Sequence, residues 1–301
     1  MKISTIVTVP PYAPFIGEVA AHPIVSGLRL NTVMPLREGP GEALERLAKF
    51  GQPLWVDLKG RQLRVAGAAI PPFSEIFLSH RIQVETPVEA FFSDGREMGR
   101  IVAVDGNRII LEDGPRRLIG PGESVNIIHP SLTIEGTLTE TDRAYLAAMR
   151  ERGLKNVMIS FAESPADADE VRALLPGAEV VQKIESLRGL AYIKREQAKH
   201  GRLMAARGDL YVEVARPHHI LAALKDILRA DPQAIVASRI LDSLAYQPVP
   251  ESADLGDLGF LLEIGYRTFM LGDQVCLKRD SVLEALNLLQ ALSKDFSLWS
   301  K

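Results

Sequence analysis

Short apolar runs rich in β-branched residues, most followed by a stretch of helical period, predict an α/β chain. After the third run the alternation stops, and a segment rich in glycine and proline reads as short strands only. The alternation then resumes until eight runs are complete. These observations predict a (β/α)8 TIM barrel with a small inserted β-barrel-like lid domain after strand three. A barrel of about 250 residues plus such an insert accounts for a chain of 301 residues.

Taken in order, residues 2–9 are rich in Ile, Val and Thr and read as the first strand. Residues 28–31 and 53–58 are the second and third. Between them, residues 41–50 set Leu44, Leu47 and Ala48 on one face of a helix. Residues 65–126 form the expected insert, leaving 1–64 and 127–301 to the barrel. Its strand-like runs are 82–88, 99–104 and 108–112, and Asp105-Gly106-Asn107 between the last two is a hairpin signal. Thr139 is placed to cap a helix over 140–152, and a strand over 156–161 follows. Ser164 caps a helix over 165–175, with Pro165 in its first turn. The remaining pairs are strand 179–184 with helix 187–199, strand 202–206 with helix 217–229, strand 234–238 with helix 255–264, and strand 268–271 with helix 280–292.

Composition limits the function. Thirty-five basic residues against 38 acidic ones give a net charge of -3, which argues against a cationic nucleic-acid or membrane surface. The expected partners are therefore small molecules. The single cysteine, Cys276, excludes an internal disulfide and a cysteine-based metal cluster. No apolar run reaches the roughly 18 residues of a membrane span. The opening MKISTIVTVPPYAPF reads as a strand and loop and not as a leader, so the expected location is cytoplasmic.

A barrel of this kind carries its active site at the carboxyl ends of its strands. The residues there are Arg29 and Asn31, Asp57 and Lys59, Ser160 and Phe161, Lys183 and Glu185, Arg207 and Asp209, and Ser238. Polar groups from six strands on one rim point to a site, and an insert leaving from that rim can serve as its lid. Glu185 and Asp209, on adjacent strands, can hold a hard cation such as Mg²⁺; the alternative is two unrelated acids. Lys183 and Glu185 share a strand face. A buried ammonium there suits a phosphoryl group or an enolate, or it simply pairs with Glu185. Arg29 and Arg64 present forked donors suited to phosphate, or are ordinary surface arginines. His218 and His219 read as non-catalytic, and Cys276 as a structural or surface thiol.

The strand-end motifs resemble the pyruvate kinase family across nearly the whole chain. GLRLN (27–31) looks like ARLNFSHG, VDLKGRQLR (56–64) like LDTKGPEIR, and VNIIHP (125–130) like the VNLP segment. VQKIES (181–186) resembles AKIEN, and MAARGDLYVEV (204–214) is close to MVARGDLGVEI, the most specific match. ASRILDSLAYQPVP (237–250) resembles ATQMLESMIKNPIP, and FML (269–271) the last barrel strand. The resemblance implies a barrel with a mobile lid, without the C-terminal effector domain. It implies that Lys183 neutralises the transferred phosphoryl group and enolate, that Glu185 and Asp209 hold Mg²⁺ (or Mn²⁺), and that Arg29 and Arg64 contact phosphate. Gly208 and Asp209 match backbone amides for the substrate carboxylate. Ser238 stands for a threonine serving the carboxylate and the proton path, and Ser160 and Phe161 match active-site positions.

Departures are as specific. Asn31 and Asp57 match two ligands of a K⁺ site, whereas Val33 and Leu58 replace its two hydroxyl residues. A lysine that helps hold nucleotide phosphates aligns with Glu123, and two arginines with Glu163 and Ser252. The resemblance implies a glycolytic phosphotransferase moving a phosphoryl group from phosphoenolpyruvate to a nucleoside diphosphate such as ADP. Two alternatives remain: a metal-dependent lyase, decarboxylase or tautomerase acting on the enolate of pyruvate or a related 2-oxo acid, and a non-catalytic metabolite-binding homologue. Related barrels pair through barrel helices, so a homodimer is compatible with this reading.

Overall fold

The computed structural model describes residues 2–67, 75–196 and 201–299. The chain begins with β1 (Ser4–Thr8), a short α1 (Ile16–Ala20), β2 (Val25–Asn31), α2 (Pro40–Ala48) and β3 (Leu54–Leu58). The intervening sheet follows as β4 (Glu75–Phe77), β5 (Ile82–Gln83), β6 (Val88–Phe92), β7 (Glu97–Asp105), β8 (Arg108–Asp113) and β9 (Val125–Asn126), with β10 (Thr133–Ile134) after it. Alternation resumes with α3 (Glu140–Glu151), β11 (Asn156–Ile159), α4 (Pro165–Leu174), β12 (Glu179–Ile184) and α5 (Leu187–Glu196). Then come β13 (Arg202–Ala206), α6 (Arg207–Glu213), α7 (His219–Ala230), β14 (Ile235–Ala237), α8 (Ser252–Ile264), β15 (Thr268–Leu271), α9 (Asp273–Cys276) and α10 (Arg279–Trp299).

Eight parallel strands close a barrel in the order β1-β15-β14-β13-β12-β11-β3-β2. The expected TIM barrel is therefore present. Side chains alternate across each strand, so one set fills the barrel and the other meets the helices. Ile6, Met158, Val181, Met204, Ile235 and Met270 pack together inside. The other set, including Leu30, Val56, Val157, Ile184, Leu203 and Phe269, packs under the helices. Between β3 and β11 the chain builds a five-stranded antiparallel sheet, β4-β8-β7-β6-β9, and a small pair, β10-β5. Its separate apolar core runs from Leu63 and Val65 through Phe92 and Ile101 to Ile127 and Leu132.

Local signals act as expected in several places. Thr139 caps α3 in a reciprocal box with Asp142, and Ser164 caps α4 with Asp167, Pro165 taking the first turn. Elsewhere the boundaries differ. Pro217 lies in the turn before α7 and not within it, because His218 is the capping residue. Helix α8 starts at Ser252, ahead of the expected 255, and α10 runs from Arg279 to Trp299, beyond the expected 280–292. Strand β2 begins at Val25, ahead of the expected 28. The helix expected over 187–199 is α5; residues 197–199 lie outside the described residues, as do 68–74 of the insert. Among the described residues, no helix is long and apolar enough to cross a membrane.

Candidate active site

Lys183 is the inward residue at the carboxyl end of β12, two positions beyond Val181. Its Nζ lies 3.2 and 3.3 Å from the two Asp57 oxygens and 3.3 Å from Glu185 Oε1. It also donates to Ser160 Oγ at 2.8 Å, and that hydroxyl donates to the Leu58 carbonyl at 2.9 Å. The simple pairing with Glu185 is thus only one of three tethers. Burial works against the ammonium, yet Asp57 and Glu185 outweigh it and raise the Lys183 pKa. Lys183 therefore holds its charge at a point fixed by four oxygens from three residues.

Arg29 is no surface arginine. It is buried, paired with Asp57 at 2.6 Å and with Asp273 at 3.0 Å, and it donates to Thr8 Oγ1 at 2.8 Å. Burial opposes ionisation of Asp57, but Lys183 and Arg29 overcome it and keep the carboxyl below its usual range. Asn31 donates from Nδ2 to Asp273 Oδ2 at 3.0 Å, and its Oδ1 accepts from the Val33 amide at 3.2 Å. This donor set does not fit K⁺. Val33 and Leu58 offer no side-chain oxygen, while the oxygens of Asn31 and Asp57 are already engaged by protein donors.

Glu185 and Asp209 form the acidic half. Glu185 Oε2 accepts from the Phe161 amide at 2.9 Å, an approach set by the positive φ of 51° at Phe161. Asp209 accepts from Gln62 Nε2 at 2.8 Å and from Asn126 Nδ2 at 3.2 Å. Burial pushes the Glu185 carboxyl up to about 7, with Lys183 pulling it down and Asp209 adding to the rise. Burial and then Asp94 of the insert raise the Asp209 carboxyl as well. Asn126 Oδ1 is buried without a partner. Two interacting buried carboxylates and an orphaned oxygen make a place short of positive charge. Among the described residues there is no cluster of three or more His, Cys, Asp or Glu suited to a metal. A pair is enough for Mg²⁺ or Mn²⁺, which bind through one or two carboxylates plus substrate oxygens and water. The residues present fit a divalent ion.

Gly208 and Asp209 lie in the first turn of α6, which starts immediately after β13. A Cβ at Gly208 would stand 3.5 Å from Ser238 Oγ, so this hydroxyl faces the start of that helix. Ser238 itself has φ 67°, at the end of β14. Arg207 turns away: it pairs with Asp257 at 2.6 Å and donates to the Ser238 carbonyl at 2.8 and 3.0 Å.

Arg64 donates to the Gly122 carbonyl at 2.5 Å and to Gln62 Oε1, while its Nε is buried without a partner. It borders a polar cavity of about 650 Å³ shared with Lys59, His80 and Arg81. The charge reversal at Glu123 is absorbed within the insert. Its carboxylate pairs with Arg117 at 2.7 Å and accepts from the Gly120 amide at 2.6 Å and from Ser93. Glu163 accepts from Ser186 Oγ at 2.6 Å, and Ser252 opens α8. Cys276 is a buried thiol whose pKa burial pushes up; His218 and His219 are exposed and stack edge to face.

Four site residues were not singled out from the sequence. Gln62 and Asn126 lie inside matched motifs but are uncharged. Glu213 sits four positions after Asp209 on α6, hence on the same helix face, and accepts from Asn126 at 3.4 Å. Burial pushes its carboxyl up to about 7, against the pull of Asn126. Asp273 follows the last strand, where the strand-end rule applies, but lies two positions beyond its apolar run, which ends at Leu271.

Comparison with known proteins bears on the family and the fold. The family model for the pyruvate kinase barrel domain matches residues 82–275. A pyruvate kinase from Methanocaldococcus jannaschii is 27% identical over 293 residues, covering 90% of this chain and 64% of that protein. One from Agrobacterium vitis is 32% identical over 206 residues, covering 66% of this chain and 42% of that protein. The crystal structure of Cryptosporidium parvum pyruvate kinase matches 97% of this chain and 70% of that one, with a TM-score of 0.78 at 17% identity, which speaks to the fold. The chain spans less than two thirds of the length of these two curated relatives.

Proposed function

The chain belongs to the pyruvate kinase family, and we propose that it moves a phosphoryl group from the enol phosphate of a 2-oxo acid, phosphoenolpyruvate being the simplest, to a nucleoside diphosphate. The observation that carries this reading is the buried Lys183 ammonium, tethered by Asp57, Glu185 and Ser160 beside the Glu185–Asp209 pair. The catalytic work in such a transfer is positioning and electrostatics.

Arg29 and Arg64 bind the phosphoryl oxygens from two sides. Backbone amides at Gly208 and Asp209, with Ser238 Oγ, orient the substrate carboxylate. The bond from phosphorus to the enol oxygen breaks as one forms to a β-phosphate oxygen of the acceptor. Lys183 stays protonated at Nζ and holds the negative charge left on the enolate oxygen. A water held near Ser238 Oγ then delivers a proton to C3 and regains one from solvent, giving the 2-oxo acid. Glu185 and Asp209 would hold Mg²⁺ or Mn²⁺, which would supply charge neutralisation for the transfer. The cavity at Lys59 and Arg64, where Arg81 is already paired with Glu135 at 3.2 Å, supports binding of the acceptor's phosphates through the first two cations. No K⁺ enters this scheme.

Conversion of phosphoenolpyruvate to pyruvate in the presence of ADP and Mg²⁺ tests the reading. Lys183→Met should lower turnover by roughly 10³-fold, the scale expected for a donor at developing charge, with an unchanged circular dichroism spectrum. A variant as fast as the parent would remove Lys183 from the mechanism.

A further inference from the structure

Beside the acidic pair lies a second cavity, of about 370 Å³. Its wall includes Phe161, whose amide bonds Glu185, and Asn126, whose amide nitrogen bonds Asp209. Phe161 and Asn126 thus stand between this cavity and the residues that would hold the metal and the substrate's oxygens. The rest of the wall is largely apolar, with Leu63, Ile127, Leu132, Ile134 and Leu187.

The polar groups on this wall do not suit an anion. Arg61 is paired with Asp167 at 2.5 Å, and Arg188 donates to the Leu132 and Pro130 carbonyls at 2.6 and 3.0 Å. Glu163 and Glu213 add two carboxyl groups, which repel phosphate. A nucleotide's phosphates meet Lys59 and Arg64 in the other cavity, although Glu135 and Glu140 line that one as well. The apolar cavity falls in the size range of small-molecule sites, about 300–1,000 Å³. That is on the order of ten water volumes at about 30 Å³ each. The single methyl of a three-carbon acid leaves most of it unfilled.

We infer that this cavity receives the side chain of the substrate, so that the site takes 2-oxo acids, as their enols or enol phosphates, bearing a branched aliphatic or aromatic tail. The inference rests on the reading of Lys183, Glu185 and Asp209 as the 2-oxo acid site and names the members of that class it favours. The oxo acid end meets the charged groups, and the tail passes Phe161 and Asn126 into the apolar wall.

Calorimetric titration of the full chain with Mn²⁺ present, using oxalate, pyruvate, 2-oxoisocaproate and phenylpyruvate, tests this. Each buried methylene is worth roughly fourfold in affinity. The acids with tails should bind at least about tenfold more tightly than pyruvate. Ile134→Trp and Leu187→Trp, two independent variants that fill the cavity at partly exposed positions, should erase that preference and leave oxalate binding unchanged. If oxalate binds and the tailed acids do no better than pyruvate, the cavity assignment is wrong while the site reading stands. A preference that survives both tryptophan variants also overturns it. If oxalate fails to bind with Mn²⁺, the site reading fails and takes this inference with it.

Discussion

Asp57 sits between two cations and shows why single residues here are hard to assign from motif position alone. Its place in VDLKGRQLR suggested a K⁺ ligand, but its oxygens are taken by Lys183 and Arg29. Lys183 and Glu185 were legible because period-two spacing and strand-end position both pointed to them, and Asp209 because of strand-end position alone. Gln62 and Asn126 were not, because an amide has no charge signature and its role depends on which carboxylate folding brings near. Asp273 was missed because a loop residue beyond the last strand has no periodic pattern. It pairs with Arg29 at 3.0 Å and accepts from Asn31, with about a third of its side chain exposed. Such a partly exposed pair is worth about 1 kcal/mol. Asp273→Asn should therefore raise the KM for the enol phosphate about fivefold, with kcat and melting temperature little changed. Steady-state kinetics checks this; an unaltered KM would mean that Asp57 and Thr8 alone position Arg29.

The elements that place these residues depend on a few buried polar contacts. Asp142, in the first turn of α3, is fully buried and does more than complete the Thr139 capping box. Its carboxylate also accepts from the Lys59 and Gly60 amides at 2.8 and 3.2 Å, which ties the loop after β3 to α3. That loop carries Lys59, Gln62 and Arg64. Gly60 has φ 53°, and a Cβ there would lie 2.5 Å from the Ser160 carbonyl oxygen, so a larger residue would push against the end of β11. Asp142→Ala leaves buried amides without acceptors, at about 1–3 kcal/mol each. Urea unfolding should show a loss of about 3 kcal/mol, and a loss below about 0.5 kcal/mol would show that the clamp adds little. The caps of α3 and α4 were readable from Thr139 and Ser164, since capping is local chemistry. Helices α1, α6 and α9 span 5, 7 and 4 residues, too short for helical periodicity to register.

At the scale of the molecule, the barrel was legible because alternating apolar runs are dictated by a parallel sheet covered with helices. How the insert meets the barrel was not, because it depends on contacts across long sequence separations. Glu123 illustrates this: in the sequence it is a reversed charge at a nucleotide-binding position, whereas in the structure it ties Arg117, Ser93 and Gly120 together within the insert. Burial works against the charged form, but Arg117 and the other donors prevail and hold its carboxyl at about 2, below the ordinary value near 4.5. A depressed folded-state pKa means that this stabilisation is complete above pH 4.5 and is lost as the pH falls toward 2. Glu123→Gln should thus lower the melting temperature at pH 7, with a difference that shrinks steadily below pH 4.5, as read by thermal melts across pH. A difference that is constant with pH would contradict the assignment. The central claim concerns phosphoryl transfer by the whole assembly of barrel and insert. Phosphorus NMR of the full chain with phosphoenolpyruvate, Mg²⁺ and ADP, without K⁺, tests it most directly. The account predicts that the phosphoenolpyruvate resonance is replaced by those of a nucleoside triphosphate, and that Lys183→Met slows the change roughly 10³-fold. Phosphoenolpyruvate that binds but never passes its phosphorus to the nucleotide, with or without K⁺, would contradict it.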